Sequence, residues 1–316
     1  MKKLLAFVLL GVVTVASYAA YPERPLKLIV PGSAGTFTDV LARAFAQALS
    51  PHIKQPVVIE NIVGAEGAIG AQAAARAAPD GYTALFVSSS TTILDPLLKQ
   101  SLPFNPAKDF TPVCSIARIG NVVNMSSALP YKSIGEFIAA AKKEPGKYTF
   151  AYSSATTRLA GELFQQQAGV KLTNVPYRSS APGLNDVAGG QVSLFFIDHV
   201  SALPFYQSGK LRPLLAAGAQ RYKALPDVPS AVEAGVPGYE IWPSTAMFLP
   251  AKTPAPIVAQ LRDAVAQALK APSMAAMRER SGLEEFSICG DEMVKYEQRE
   301  IERWEQVIKK AGIEKQ

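Results

Sequence analysis

The feature that most constrains the fold of this chain is a regular alternation of strand-like and helix-like segments. Short apolar runs such as "PLKLIV", "PVVIENI" and "YTALFVSS" are each followed by a helical segment or turn. Helices are predicted over residues 39–49, 68–77, 133–143, 157–167 and 181–188, with a turn or helix over 94–100. The alternation favours the α/β class, in which helices cover both faces of parallel sheets.

The C-terminal third of the chain is mostly helical in pattern. From Asp291 onward, Val294, Ile301, Trp304 and Ile308 form an apolar stripe that predicts one long amphipathic helix. The remaining positions alternate in charge, as expected of a solvated helix face.

Two places where extended stretches follow each other predict a division into two lobes. Near Arg118–Val123 one extended stretch runs into another with only Gly120 and Asn121 between them, and strand character resumes around Gly238–Ala246. A chain of 316 residues is long enough for two α/β domains. Two lobes joined by two extended crossovers would place a cleft between them, where α/β folds present their carboxyl-end loops.

The first residues have the composition of a secretory signal peptide. Two lysines precede an apolar run over Leu4–Val15, and Ser17–Ala19 fits a cleavage site. We predict a signal peptide over residues 1–19, cleaved after Ala19, with an uncleaved membrane anchor as the alternative. No later stretch is apolar over the length of a bilayer, so the mature chain is expected outside the cytoplasm.

Charge and cysteine content argue against several function classes. The formal charge of +6 falls to +4 without Lys2 and Lys3, and no basic run is present, so nucleic-acid binding has little support. Two cysteines and two histidines cannot make a zinc site, and no haem-attachment motif occurs. Cys114 and Cys289 either form a long-range disulfide, which an extracytoplasmic compartment permits, or remain two buried free thiols.

Motifs that suggest an enzyme are incomplete. "GAEGAIG" over residues 64–70 has the spacing G-x-x-G-x-x-G, which indicates a turn that lets the next helix pack closely rather than a dinucleotide site. "PGSAG" has Pro31 where a nucleophile elbow requires glycine. His199 beside Asp198 lacks a serine at a defined spacing. No catalytic residue, metal ligand or cofactor site is assigned.

Small, hydroxyl-rich loops follow several strands and precede helix starts. They are residues 32–39, Ser88–Ser90, residues 153–157 and Arg178–Ser180, and in the first of them Thr36 and Asp39 predict a capping box. The unpaired N–H groups and the positive end of the macrodipole at a helix start attract anions. Donors without a general base or a nucleophile predict that the anion is captured, not converted. Arg178 can pair with a carboxylate in bidentate fashion.

Several stretches carry a family resemblance: "PERPLKLIVPGSAGTFTDVLAR", "APDGYTALF", "DFTPV", "LAGELF", "VPYRSSAPGLNDVAGGQV", "SALPFYQSGKLRPL" and "ALPDVPSAVEAGVPGYE". In this order they resemble the Bug-type extracytoplasmic solute receptors, the periplasmic binding proteins of tripartite tricarboxylate transporters. The resemblance extends from Tyr21 into the C-terminal helices, and the "APDGYT" and "ALPDVPS" motifs make it specific.

The resemblance implies a type II periplasmic-binding-protein fold, with two α/β lobes, two crossover strands and a ligand cleft between the lobes. Lobe 1 would comprise residues 20–120 and 240–316, because the C-terminal helices return to it, and lobe 2 residues 121–239. The resemblance also implies no catalysis and no cofactor. A monomer is expected, with a small carboxylate and the membrane components of the transporter as its partners.

The family holds a ligand carboxylate with backbone N–H groups and ordered waters of the first strand–helix loop and of loops in the second lobe. Carried onto this sequence, the resemblance implies ligand contacts at Gly32, Ser33, Ala34, Gly35, Thr36, Phe37, Thr38, Asp39, Ser88, Ser89, Ser90, Ser153, Ser154, Thr156, Tyr177, Arg178, Ser179, Ser180, Ala181 and Asp198.

The first loop departs from the usual family pattern. Gly32 stands where an aromatic residue is usual, and Gly35 and Thr36 replace a pair of glycines. Thr36 would be strained if its position required a positive φ. Ser179 replaces another usual glycine, and Phe37 is expected either to line the ligand or to pack against the opposite lobe.

We therefore expect a periplasmic receptor that captures a small mono- or dicarboxylate between its lobes and delivers it to a tripartite tricarboxylate-type transporter. A sensor subunit that presents the bound carboxylate to a signalling kinase is the alternative, because the docking surface is unmarked. A secreted hydrolase is a more distant alternative, and it requires His199 within hydrogen-bond reach of a serine at the cleft.

Overall fold

The computed structural model of the protein describes residues 21–315. The predicted signal peptide and its cleavage site lie outside these residues. The strands are β1 (Leu26–Val30), β2 (Val57–Asn61), β3 (Thr83–Ser88), β4 (Phe110–Arg118), β5 (Asn121–Ser126), β6 (Thr149–Tyr152), β7 (Thr173–Pro176), β8 (Leu194–Asp198), β9 (Leu211–Ala216) and β10 (Ser244–Pro250). The α-helices are α1 (Phe37–Ile53), α2 (Ala68–Ala75), α3 (Asp95–Leu98), α4 (Pro106–Asp109), α5 (Ile134–Lys143), α6 (Ala155–Ala168), α7 (Ser180–Ala188), α8 (His199–Gln207), α9 (Ala255–Ala268), α10 (Pro272–Ser281) and α11 (Asp291–Ala311).

The strands form two five-stranded sheets with equivalent strand orders, β2-β1-β3-β10-β4 and β7-β6-β8-β5-β9. We call the first sheet with its helices lobe 1 and the second lobe 2. In each sheet one strand, β10 or β5, runs antiparallel to its neighbours, and it is the strand that enters from the other lobe. The other pairs are parallel, as strand–helix alternation predicts. The predicted two-lobe α/β fold is confirmed.

The two crossovers run side by side. β4 leads into β5 through residues 119–120, and the chain returns to β10 through residues 241–243. The Ile119 N–H donates to the Pro243 carbonyl at 3.0 Å, and the Asn121 N–H donates to the Ile241 carbonyl at 3.2 Å. The lobes are therefore joined by a hydrogen-bonded pair of extended segments.

Each lobe has an aromatic-rich core between its sheet and its helices. In lobe 1, Phe45 of α1 stacks on Phe86 of β3 with ring centroids 5.5 Å apart. In lobe 2, Phe196 of β8 contacts Phe150 at 5.5 Å and Phe164 of α6 at 5.3 Å. All five rings are fully buried. Burial of each contributes roughly 1.5–3 kcal/mol, which fixes how the helices that begin at the cleft sit on their sheets.

Helix α11 packs against both lobes. Near its start Met293 is buried in a cluster with Phe110 and Phe248 of lobe 1, whereas Trp304 and Val307 are buried with the core of lobe 2. The predicted stripe is wrong at its first position, because Val294 is 49% exposed and the neighbouring Met293 faces the interior. The proposed lobe boundaries stay a prediction, and within them α11 spans the two lobes.

Cys114 and Cys289 are joined by a disulfide, so the free-thiol alternative does not hold in the structure. Cys114 lies in β4, and the segment over residues 284–289 runs beside that strand, with bridges at the cysteine pair and between Arg118 and Glu284. The disulfide therefore anchors the start of α11 to the sheet of lobe 1. No helix within residues 21–315 is both long and apolar enough to cross a membrane.

Candidate ligand-binding site

The loops with the predicted ligand contacts follow the carboxyl ends of parallel strands: β1 and β3 in lobe 1, and β6, β7 and β8 in lobe 2. The two crossover segments join the sheets at the carboxyl ends of these parallel strands. Asn121, the first residue of β5, is paired with Asp198 at the end of β8, and Thr245 of β10 is paired with Ser88 at the end of β3. The loops of both lobes therefore lie at the edges next to the crossovers, where α/β folds bind ligands.

Two contacts show which predicted loops come together. Ser153 Oγ lies 3.0 Å from Ser180 Oγ, so the loops after β6 and β7 meet. Ser89 and Thr156 line one small cavity beside the crossovers, so the loop after β3 approaches the start of α6 in the other lobe. The hydrogen bonds of the first loop and of Asp198 are instead made within their own lobes.

The first loop avoids the strain that its sequence suggests. Gly35 takes the positive φ of 81°, while Thr36 is extended, with φ −69°, and caps α1 by accepting the Asp39 N–H at 3.4 Å. The N–H groups of Gly35 and Thr36 are used inside the loop. Those of Ser33 and Ala34 make no hydrogen bond to another residue within 21–315. These two groups, on exposed residues, are free donors of the loop ahead of α1.

Asp39 supports this loop from within. It is 2% exposed, and its carboxylate accepts from Gly35 N at 2.8 Å, from the Arg43 guanidinium and from Asn61 Nδ2. The reciprocal bond of the predicted capping box thus goes to Gly35 and not to the cap residue. Burial opposes ionisation, but these hydrogen bonds and the charge of Arg43 together lower the pKa of Asp39.

Phe37 is half-buried against the core of lobe 1, next to Leu41 and Phe45 in that cluster. Its packing therefore involves the core of its own lobe. Thr38 is also half-buried, one position further along the first turn of α1. The N–H groups of Phe37 and Thr38 belong to the first turn of α1 and have no acceptor inside the helix.

The serines after β3 hold their own turn. The Ser90 N–H donates to Ser88 Oγ at 3.1 Å, and Ser89 Oγ accepts the Ser244 N–H at 3.1 Å. The predicted turn or helix after them is a π-helical turn over Ser90–Leu94 followed by α3. Ile93 and Leu94 of this turn are buried in the core of lobe 2, so the loop connects a strand of lobe 1 to a segment packed in the other lobe.

Thr157 organises the loop after β6, in which the sequence placed it without counting it among the ligand contacts. Its Oγ1 accepts the N–H groups of Ser153 at 2.9 Å and Ser154 at 3.0 Å, and donates to the Ser154 carbonyl at 3.1 Å. Ser154 in turn caps α6. Because those N–H groups are satisfied, the first-turn N–H groups of Ala155 and Thr156 are the ones left for an external anion.

The loop after β7 has an uncapped helix start. The Ser179 backbone is extended, with φ −157° and ψ 168°, but its side chain makes no capping bond, so the N–H groups of Ser180 and Ala181 are unpaired in α7. Arg178 is exposed beside them. The Tyr177 hydroxyl donates to Asp186 at 2.6 Å, which fixes the ring and raises the Tyr177 pKa to about 12, with burial as the larger cause. The start of α7 therefore offers unpaired N–H groups to an anion.

Asp198 caps α8. One carboxylate oxygen accepts the Ser201 N–H at 2.8 Å and the other its hydroxyl at 2.9 Å. His199 is 5% exposed, beside Gly282 of lobe 1. Burial lowers its pKa despite the nearby Asp198 and the Ser281 backbone, which act in the opposite direction. Its imidazole bonds no serine hydroxyl within the described chain, so the arrangement that a hydrolase requires is not formed.

The glycine-rich turn over residues 64–70 packs α2 closely, as predicted. A Cβ atom at Gly70 would lie 2.8 Å from the Ile62 carbonyl oxygen and 3.0 Å from Pro31 Cα. The turn thereby sits directly behind the start of the first loop.

Comparison with known proteins gives one consistent family. The family model described as the tripartite tricarboxylate transporter family receptor matches residues 41–313. The protein BugT of Bordetella pertussis is 32% identical over 305 residues, covering 96% of this chain and 94% of BugT.

Solved structures agree with the fold over the whole described chain. Rpa4515 of R. palustris, solved with adipate, superposes with a TM-score of 0.86 at 36% identity and covers 94% of this chain and 100% of its own. MatC from Rhodopseudomonas palustris, solved with bound malate, gives a TM-score of 0.78 at 30% identity. The match covers 91% of this chain and 100% of MatC. The chain is thus similar along nearly its full length to proteins whose structures contain carboxylates.

Proposed function

Because this chain belongs to the tripartite tricarboxylate transporter family of receptors, we propose that it is a periplasmic receptor for a small mono- or dicarboxylate. The carboxylate binds between the lobes and is delivered to the membrane components of a tripartite tricarboxylate transporter. Receptors of this family bind solutes and are not enzymes. The adipate and malate in two similar structures support the ligand class.

The observation that carries the proposal is the uncapped start of α7. Ser180 and Ala181 offer two adjacent unpaired N–H groups, and Arg178 adds a full positive charge at the same edge. The helix start itself carries a partial charge of about +0.5. This combination suits a carboxylate, whose two oxygens can accept hydrogen bonds in one plane.

The lobe 1 loop supplies the second half of the site. The free N–H groups of Ser33 and Ala34 lie at the carboxyl edge of β1. A ligand that contacts both lobes favours the closed arrangement, and it shifts the equilibrium only by its differential affinity for that state. Closure excludes water, which strengthens the hydrogen bonds to the carboxylate.

The test is a thermal-shift titration with a panel of aliphatic carboxylates that includes adipate and malate, with uncharged adipamide as the matched control. A ligand at about 100 times its Kd adds about 2.7 kcal/mol, which raises the melting temperature by roughly 5–10 °C. Native mass spectrometry of protein isolated from cells identifies any ligand already bound. A shift with carboxylates but not with adipamide supports the proposal.

If no carboxylate of the panel raises the melting temperature of protein confirmed to be ligand-free, the carboxylate assignment is contradicted. A ligand recovered in chemically altered form would contradict the receptor function itself. Delivery is tested separately, since deleting the receptor should abolish uptake of the identified carboxylate by the cells.

A further inference from the structure

Beneath the first loop lies a polar cluster that joins two elements and contains the buried carboxylate of Asp39. It consists of Asp39 and Arg43 on α1 and Asn61 at the end of β2. Arg43 donates two hydrogen bonds to Asp39, from Nε at 3.0 Å and Nη2 at 2.9 Å, and Nη2 also donates to Asn61 Oδ1 at 3.1 Å. Asn61 Nδ2 donates to Asp39 Oδ1 at 3.0 Å.

The cluster holds the first loop at two points. Asn61 Nδ2 donates to the Gly32 carbonyl at 3.0 Å, and Asp39 accepts the Gly35 N–H at 2.8 Å. The free donors Ser33 and Ala34 lie between these two points. The orientation of the Ser33 and Ala34 N–H groups is therefore set by Asn61 and Asp39, whose polar atoms are already hydrogen-bonded within the protein.

The same cluster compensates the negative charge of Asp39 under the loop. A buried carboxylate beneath an anion site repels the ligand unless its charge is compensated, because the interaction is strong in a poorly solvated place. Arg43 is the charged residue that contacts Asp39, and its own side chain is half exposed. The pair is neutral, so Asp39 can shape the loop without opposing an anion.

We propose that Asn61 and Arg43 are positioning residues of the carboxylate site, Asn61 by fixing the loop between Gly32 and Gly35 and Arg43 by cancelling the charge of Asp39. The proposal rests on the proposed function, since it concerns the lobe 1 half of that site. Neither residue touches the ligand in this scheme.

The first test compares Asn61→Ala with Asn105→Ala, which removes the same group from the cap of α4, outside the ligand loops. Asn61→Ala should weaken the Kd for adipate or malate by about tenfold, equivalent to about 1.4 kcal/mol. It should also speed amide hydrogen exchange over residues 31–38 in the ligand-free protein. Asn105→Ala should change neither. Unchanged exchange and affinity in Asn61→Ala overturn the role of Asn61.

The second test compares Arg43→Gln with Arg24→Gln, which removes an exposed ion pair to Asp80 before β1. In Arg43→Gln, Asp39 keeps its hydrogen bonds to Gly35 and Asn61 but loses the compensating charge. Affinity should fall in Arg43→Gln, and Arg43→Lys, which keeps the positive charge four residues from Asp39 without the forked hydrogen bonds, should bind close to the wild type. A loss of the same size in Arg43→Lys and Arg43→Gln means that Arg43 acts through its hydrogen bonds alone and overturns the charge argument.

The outcomes separate this inference from the proposed function. If the wild type binds neither adipate nor malate, the carboxylate assignment fails for these probes, and hydrogen exchange over residues 31–38 still decides whether Asn61 holds the loop. If the wild type binds and the variants of Asn61 and Arg43 bind equally well, the inference fails and the proposed function stands.

Discussion

At the scale of single residues, the site depends on side chains that satisfy backbone groups so that others remain free. Thr157 is the sharpest case, because one hydroxyl accepts two N–H groups and donates to a carbonyl. In lobe 1, Asp39 accepts the Gly35 N–H and Asn61 donates to the Gly32 carbonyl, so these side chains also satisfy backbone groups of a loop. In the proposed site, specificity for an anion would therefore rest partly on which N–H groups are already occupied.

Thr157→Val keeps the shape of the side chain but leaves the Ser153 and Ser154 N–H groups without their acceptor. We expect a loss of about 1–3 kcal/mol in the free energy of unfolding, measured by urea denaturation. Thr157→Ser should stay close to the wild type. The matched control is Thr173→Val, which removes an exposed hydroxyl bond to Gly146 in the same lobe. A loss no greater than that of the control would show that Thr157 is dispensable.

At the scale of elements, the strand–helix alternation predicted the order of most elements. Strands of a parallel sheet are buried on both faces, so they appear in the sequence as short, continuous apolar runs. Helix ends were less certain. The helix predicted over 39–49 begins at Phe37 and continues to Ile53 through Pro51, since a short capping loop and tertiary packing set its limits. The stripe of α11 was wrong at Val294, where a shift of one position selects Met293 for the interior.

The site was predictable only in part, for a physical reason. Loop positions follow from the parallel sheets, so the candidate segments could be named from the sequence. Which N–H groups stay free depends on contacts between distant positions, such as Asn61 with Gly32. Asp39 and Asp198 illustrate this limit: both lie in the predicted loops, yet their carboxylates are occupied by helix and loop groups. A capping pattern at Asp198-x-x-Ser201 was the available signal.

Helix α11 also carries a half-buried acid, Glu297, between the positions that pack on lobe 1 and on lobe 2. Burial raises the pKa of Glu297 to about 7, although a hydrogen bond with Thr92 of lobe 1 acts in the opposite direction. The folded protein therefore holds this proton more tightly than the unfolded chain. Its contribution to stability is fully present at acidic pH and is lost as the pH rises from the unfolded value, about 4.5, through about 7.

Glu297→Gln should remove this dependence, because the amide stays neutral. Relative to the wild type, the variant should gain about 2–3 kcal/mol of unfolding free energy between about pH 5 and pH 8. Urea denaturation at several pH values measures the difference. Glu305→Gln, an exposed position on the same helix, is the control and should follow the wild type. Parallel profiles for Glu297→Gln and the wild type would contradict the assignment.

At the scale of the whole molecule, the lobes are connected at more than the two crossovers. Ile93 and Leu94 extend from lobe 1 into the core of lobe 2, and α11 is tied to lobe 1 by the Cys114–Cys289 disulfide while Trp304 packs in lobe 2. These links border the edge where the ligand loops meet. A closing motion of the lobes would therefore have to pivot around these links.

In the proposed site, backbone N–H groups at this edge bind the carboxylate, and Ser180 allows a direct test. It is the first residue of α7 and follows an extended Ser179, so proline fits the backbone there and removes one N–H group. Ser180→Ala removes the hydroxyl bonded to Ser153 but keeps the N–H. The two variants differ chiefly in the group under test.

The measurement is isothermal titration of adipate and malate into the wild type, Ser180→Ala and Ser180→Pro. For a probe that the wild type binds, we predict that Ser180→Pro weakens the Kd at least about tenfold relative to Ser180→Ala, as expected for a lost hydrogen bond to a charged group. Equal affinities for the two variants would contradict the claim, because the N–H at the start of α7 would then make no contribution to binding.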